Sequence, residues 1–262
     1  MWQNFGKNAD YDTMKDIILT AFDHGITYFD LANNYGPDPG QAEINFGKIF
    51  NENLKPYRDE IIIATKAGYE MWPGPYGGRG GSRKYLTASL DQSLKRMGID
   101  YVDIFYHHCL DPDTPLKETA LCMSDIVRQG KSLYIGMSNY DGKKMHRMYH
   151  KCDDYNVPFV VNQNRYNILD RQVEYNSLKK ECFSKHKGLV AFSPLAQGRL
   201  SDKFRNGIPE SSRLYGKPDY CKRIGLDDAQ LQYISSLCEI ADKRGETLSQ
   251  MAIQWLLKKG VT

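Results

Sequence analysis

Six short apolar runs, separated by longer amphipathic stretches, constrain this chain more than any other feature. They are "ITYFD" (26–30), "EIIIAT" (60–65), "YVDIFYH" (101–107), "SLYIGM" (132–137), "PFVVN" (158–162) and "GLVAF" (188–192). Most are continuous apolar stretches of β-branched and aromatic residues, the pattern of parallel strands covered on both faces. Between them the apolar spacing becomes helical. Met14, Ile17, Ile18, Ala21 and Phe22 form one stripe before Gly25. Leu86, Leu90, Leu94 and Met97 form another before Gly98, and Leu116, Ala120, Met123 and Val127 a third before Gly130. These glycines are placed to end their helices. Strand starts about 26 to 41 residues apart leave room for consecutive βαβ crossovers. An open doubly wound sheet that binds a dinucleotide would carry GxGxxG in its first βα turn. None occurs; "GPYGGRGG" (74–81) is glycine-rich but follows the second visible strand. The pattern favours a (β/α)₈ barrel, read as a single domain over 1–262.

The totals agree with that class. At 262 residues the chain matches the roughly 250 of a single α/β barrel. A net charge of +3 over 35 basic and 32 acidic residues is no nucleic-acid footprint. No apolar run approaches the ~18 residues of a membrane span, and no signal-peptide pattern opens the chain. We expect a soluble, cytoplasmic protein with no nucleic-acid or membrane partner; a homo-oligomer is left open. The six cysteines form no CxxC pair and read as reduced thiols. His107, His108 and Cys109 alternate between strand faces and cannot easily converge on one ion, so no metal is expected.

A barrel places its chemistry at the C-terminal ends of its strands. Those ends carry Asp30 and Tyr35, Lys66, His107 and His108, Ser138 and Asn139, Gln163, and "SPLAQGR" (193–199). Tyrosine, with a solution pKa near 10, is a poor acid at neutral pH. An ammonium at Lys66 would lower that value, and Asp30 could hold the lysine in place. His108 could hydrogen-bond the same substrate oxygen. The set makes a proton donor aimed at a carbonyl oxygen, with no nucleophile or electron carrier. It needs an external hydride, hence a nicotinamide cofactor.

"GITYFDLANNYG", "ATKAGY", "YVDIFYHH", "IGMSNY" and "FSPLAQGRLSDKF" resemble the aldo-keto reductases over almost the whole chain. They are most similar to the branch holding bacterial glyceraldehyde 3-phosphate/methylglyoxal reductases and potassium-channel β subunits. The resemblance implies an NADP(H)-dependent oxidoreductase acting on CH–OH groups and small carbonyl substrates. It makes Tyr35 the general acid, Lys66 and Asp30 its tuners, and His108, rather than His107, the residue that orients the carbonyl. Trp2, Asp30, Ser138, Asn139 and Gln163 fall at cofactor-contacting positions, the last three at the nicotinamide carboxamide. Ser193, Leu195 and Gln197 match the diphosphate segment, and Lys203 and Arg213 suit a 2′-phosphate. Tyr166 is read either as a nicotinamide stacking partner or as a core aromatic.

The resemblance also sets two expectations at the ends. "MWQNFGK" matches the loop after a first barrel strand, and "LLKKGVT" falls where an eighth should begin. The barrel is therefore expected to be incomplete, with the first and eighth strands mostly missing, and a fragment of a longer protein is one reading of the sequence. The loop "MWPGPYGGRGGSRKYL" (71–86) points to the glyceraldehyde 3-phosphate type. Its Arg79 and Arg83 are candidates for a substrate phosphate, while Ser82 suits a helix N-cap. Two alternatives stay open: a cofactor-holding regulatory module of the channel β-subunit type, and an inactive barrel fragment.

Overall fold

The computed structural model describes residues 5–72, 78–212 and 214–261. All six apolar runs form strands: β1 Tyr28–Asp30, β2 Ile62–Ala67, β3 Val102–His107, β4 Ser132–Ser138, β5 Phe159–Arg165 and β6 Gly188–Phe192. They pair in parallel and strictly in chain order, with β1 and β6 at the two edges. The sheet curls into an incomplete (β/α)₈ barrel. One boundary matters for function. The run "PFVVN" continues as β5 through the polar Gln163, Asn164 and Arg165, because β6 pairs with them as far as Arg165 opposite Phe192.

Among the described residues, ten α-helices accompany the strands: α1 Tyr11–Asp23, α2 Gln41–Ile49, α3 Arg83–Met97, α4 Leu116–Arg128 and α5 Gly142–Asp154, then α6 Gln172–Tyr175, α7 Leu178–Ser184, α8 Pro218–Arg223, α9 Asp228–Lys243 and α10 Leu248–Leu257. The expected stops hold. Gly98 caps α3 in the left-handed region at φ 65°, and Gly130 follows α4 at φ 71°. In α1 the cap is His24, and Gly25 comes next at φ 86°. Ser82 caps α3, its side chain accepting from the Tyr85 N–H.

The large core lies outside the curl, between sheet and helices, around residues such as Phe29, Phe46, Leu90, Phe105, Met123 and Ile135. The apolar cluster on the inner face consists of Ala64, Tyr106 and Val161, beside an apolar cavity of about 670 Å³. Chain after β6 folds into a third cluster, in which Leu200, Phe204 and Leu214 pack with Ile234, Leu237 and Leu248 of α9 and α10.

Two features lock α2 to its neighbours. Fully buried Glu43 accepts from Arg96 Nε of α3 at 2.7 Å and from Thr65 Oγ1 of β2 at 2.5 Å. Gly47 brings α2 so close to the end of α3 that an added Cβ would stand 2.5 Å from Met97 Cα. Glycine to alanine inside an exposed helix normally stabilises by about 0.5–1 kcal/mol. Here the sign should reverse, because the obstructing atoms are backbone and overpacking costs about 1–3 kcal/mol. Gly47→Ala is expected to lower the thermal midpoint, and an unchanged or higher midpoint in a melting experiment would refute the close approach.

Candidate active site

β1 and β2 build the floor of the site. Asp30 ends β1 and Lys66 is the penultimate residue of β2. The ladder continues past β1, with Leu31 N–H donating to Ala64 O at 2.8 Å and Asn33 N–H to Lys66 O at 2.9 Å. That register places the Lys66 ammonium, which is 0% exposed, against three oxygens: Asp30 Oδ2 at 2.5 Å, Leu31 O at 2.8 Å and the Tyr35 hydroxyl at 3.4 Å. Gln163 Nε2 reaches across from β5 to Asp30 Oδ1 at 3.2 Å. Beneath them the hydroxyls of Tyr28 and Tyr106 lie 2.8 Å apart.

His108 stands just beyond β3, its N–H donating to Ala67 O at 2.8 Å. Its ring meets Tyr35 edge-on at 5.8 Å and Tyr69 at 4.7 Å. Burial, with help from the Lys66 charge, pushes its pKa down to about 2, so the imidazole is neutral at physiological pH. His107 points the other way, as strand alternation requires. It is buried with Nδ1 2.7 Å from the Tyr140 hydroxyl, beside Gly81, and its pKa is pushed down to about 4, mainly by burial.

The sign of the Tyr35 shift differs from the sequence expectation. Lys66 does pull its pKa down, but burial outweighs the ammonium and the Asp30 carboxylate opposes it, so the pKa is raised. The phenol is kept protonated.

Several of the expected cofactor residues gather on one side. Asn139, at φ 60°, follows Ser138 at the end of β4; its N–H donates to Gln163 O at 3.0 Å and its amide to His108 O at 2.9 Å. Ser193, Ala196 and Gln197, after β6, also hold positive φ, of 54°, 49° and 61°. Non-glycine residues in that region cost of order 1–3 kcal/mol each and persist where the surroundings impose them. A cleft of about 710 Å³ joins these groups; its lining includes Tyr35, His108, Asn139, Gln163, Leu195 and Gln197. Asn34 Oδ1 and His108 Nδ1 are buried without a hydrogen-bond partner among the described residues, and both residues line the cleft. Its volume, amide groups and unpaired acceptors suit a nicotinamide nucleotide.

Not every candidate belongs to this cluster. Lys203 sits exposed on the turn Asp202–Phe204, away from the cleft lining. Trp2 and Arg213 lie outside the described residues. Tyr166 is wholly buried edge-on to Trp255 and donates its hydroxyl to Glu174, as a core aromatic does. Arg83 requires a correction. Its guanidinium pairs with Asp125 far along α4, on the helical shell, so its charge is already engaged. Arg79 is exposed beyond Gly80 and Gly81, which are tied down by bonds from Gly80 N–H to Gly68 O and from Gly81 N–H to Asp111 Oδ2. Sequence reasoning missed Tyr69, Arg165 and Phe192 in the cleft. Arg165 was within reach, since it follows Gln163 by two residues and strand side chains two apart share a face. Among the described residues no group of His, Cys, Asp and Glu could hold a metal ion, and no helix is long and apolar enough to cross a membrane.

Comparison with known proteins bears on the family and the fold. The family model described as "Aldo/keto reductase family" matches residues 1–262. L-glyceraldehyde 3-phosphate reductase of Escherichia coli K12 is 48% identical over 98% of this chain and 75% of its own length. A probable voltage-gated potassium channel subunit beta of Arabidopsis thaliana is 36% identical over 97% of this chain and 77% of its own. Among solved structures, the thermostable aldo-keto reductase Tm1743, crystallised with the inhibitor epalrestat, superposes with a TM-score of 0.74 at 31% identity, covering 100% of this chain and 80% of that one.

The two neutral histidines predict a pH dependence. Unfolded, each titrates near 6.5. Folded, both pKa values are depressed, so below about pH 6.5 the unfolded state binds protons that the folded state does not, and stability falls with acid. Each contributes a loss of about 2 kcal/mol between pH 7 and pH 5. Urea denaturation at these two pH values should show that His108→Gln loses less stability on acidification than the parent. Equal losses would mean that His108 is charged in the folded protein.

Proposed function

This chain belongs to the aldo/keto reductase family, and from that premise we propose that it is an NADPH-dependent reductase of small aldehydes, glyceraldehyde 3-phosphate and methylglyoxal among them. The observation that carries this reading is the Lys66 ammonium, buried and shared between Asp30 and the Tyr35 hydroxyl at the base of the cleft. The reduced nicotinamide, when bound, supplies the hydride to the carbonyl carbon. Ser138, Asn139 and Gln163 would hold its carboxamide. Ser193, Leu195 and Gln197 would line its diphosphate. Lys203, with Arg213 and Trp2, would complete the nucleotide contacts.

The remaining chemistry belongs to the floor. Tyr35, protonated at neutral pH with its pKa raised further by burial, donates its proton to the substrate oxygen. The phenolate left behind faces the Lys66 ammonium, a charge already in place before the reaction begins. Asp30 and Leu31 O fix that ammonium, so little reorganisation accompanies the proton's departure. His108, neutral, can donate a hydrogen bond to the same oxygen without adding a second cation beside Lys66.

Tyr35→Phe keeps the ring and removes only the proton. It is expected to lower kcat for methylglyoxal reduction by about 10²–10⁴ while cofactor binding, read by fluorescence quenching, persists. A variant that keeps more than about a tenth of the parent kcat would exclude Tyr35 as the acid. KM should favour NADPH over NADH, and equal values would remove the case for Lys203 and Arg213.

A further inference from the structure

At the mouth of the cleft two arginines share a small cavity that none of the roles above explains. Gln163 faces inward to Asp30, so Arg165, two residues further along β5, faces the same side one step nearer the mouth. Its guanidinium lies 5.7 Å from the Phe192 ring centroid, and the carboxylate beside it, Asp170, stands 3.9 Å away, beyond hydrogen-bond length. Arg199 is half-buried and points its Nε to Ala196 O at 3.1 Å and its Nη1 to Ile224 O at 2.7 Å. Both acceptors are neutral carbonyls. Among the described residues no carboxylate forms an ion pair with Arg199. Burial, and then the charge of Arg165, holds its pKa below the usual arginine range, against a smaller opposing pull from the Asp170 carboxylate.

The cavity between them, about 260 Å³, has Arg165, Asn167, Ser193, Gln197 and Arg199 in its lining, with Ala196 and Ile224 as its apolar members. It shares Arg165, Ser193 and Gln197 with the main cleft. Its wall is held in advance. Asn167 donates to Ser193 O at 2.9 Å and accepts from the N–H groups of Leu169 and Asp170, each at 2.9 Å. Two guanidinium groups facing one pocket repel each other, and the one carboxylate beside them, Asp170 in a long ion pair with Arg165, leaves a net positive charge that an anion between them would balance. Arginine offers a planar fork of donors that suits a phosphate. The Arg83 guanidinium, by contrast, is already paired with Asp125.

We propose that Arg165 and Arg199 form a phosphate-binding pocket beside the reacting end of the cleft, and that it receives the phosphate of a phosphorylated aldehyde. The assignment deepens the reductase reading and rests on it for the identity of the substrate. The cofactor's diphosphate carries the same chemistry and is the other source of such a group.

Calorimetric titration of inorganic phosphate into the protein without cofactor reads the pocket directly. Arg165→Met should weaken phosphate binding at least tenfold, and Arg165→Lys should restore part of it. Arg165 carries the test because its side chain is 55% exposed and can be replaced without disturbing the fold, whereas Arg199 also holds the chain at Ile224. In turnover, the ratio of kcat/KM for glyceraldehyde 3-phosphate over methylglyoxal should fall at least tenfold in Arg165→Met. If phosphate binding weakens but that ratio holds while Kd rises equally for NADPH and NADH, the pocket grips the cofactor diphosphate, and the substrate assignment is overturned. If phosphate binds the parent and Arg165→Met alike, or binds neither, there is no such pocket. Should the protein reduce no aldehyde, the calorimetry still decides the pocket while the proposed activity fails by itself.

Discussion

The site depends on one ammonium group removed from water. Burying an isolated charge costs several kcal/mol even after relaxation, and Lys66 has no exposed surface. It is retained because Asp30, Leu31 O and Tyr35 meet it from one segment of chain, the end of β1 and the turn beyond. Their positions follow from the pairing of Asp30 opposite Ala64, one residue before Thr65 and two before Lys66. A slip of one residue would turn Lys66 toward the helices and Thr65 toward the barrel. Thr65, however, is held on the outer side by the buried Glu43. The polar contacts on both faces of β2 therefore enforce the same register, and the ion pair and the fold depend on each other.

Around that pair the charges are few. Tyr35 and His108 are both kept uncharged by burial, so the floor carries a neutral acid and a neutral imidazole beside a balanced ion pair. The site is thus arranged for a negative charge that arises during reaction rather than for one bound beforehand. The two arginines at the mouth are the opposite case: two cations share one nearby carboxylate, Asp170, so a net positive charge stands ready.

The strands were legible because parallel strands covered on both faces carry apolar residues whatever surrounds them. The strand-end rule then brought Asp30, Tyr35, Lys66, His108, Asn139 and Gln163 to one mouth. The remainder depended on quantities that a linear pattern does not contain. The direction of the Tyr35 shift is a contest between depth of burial and two opposite charges, and depth is a property of packing. Arg83 lay in a promising glycine-rich loop, but α3 begins at that residue and turns it outward to Asp125. Arg165 went unnoticed because β5 was read as ending where its apolar residues end, while β6 carries the pairing three residues further.

The strand order has a kinetic meaning. Every strand pairs only with those immediately before and after it in the chain, separated by a single helical crossover or a comparable stretch. Among the described strands, each pairing joins chain neighbours, so loop-closure entropy is paid in modest, nearly equal steps. A chain emerging from the ribosome could add each strand to a sheet already begun, with the growing edge always the most recent one. The Lys66 contacts to Asp30 and Tyr35 fall within the first of these steps. The Gln163 bond to Asp30, spanning 133 residues, can form only after three more strands are in place. The ammonium would thus find its counter-ion early, and the closing contact across the barrel would come late.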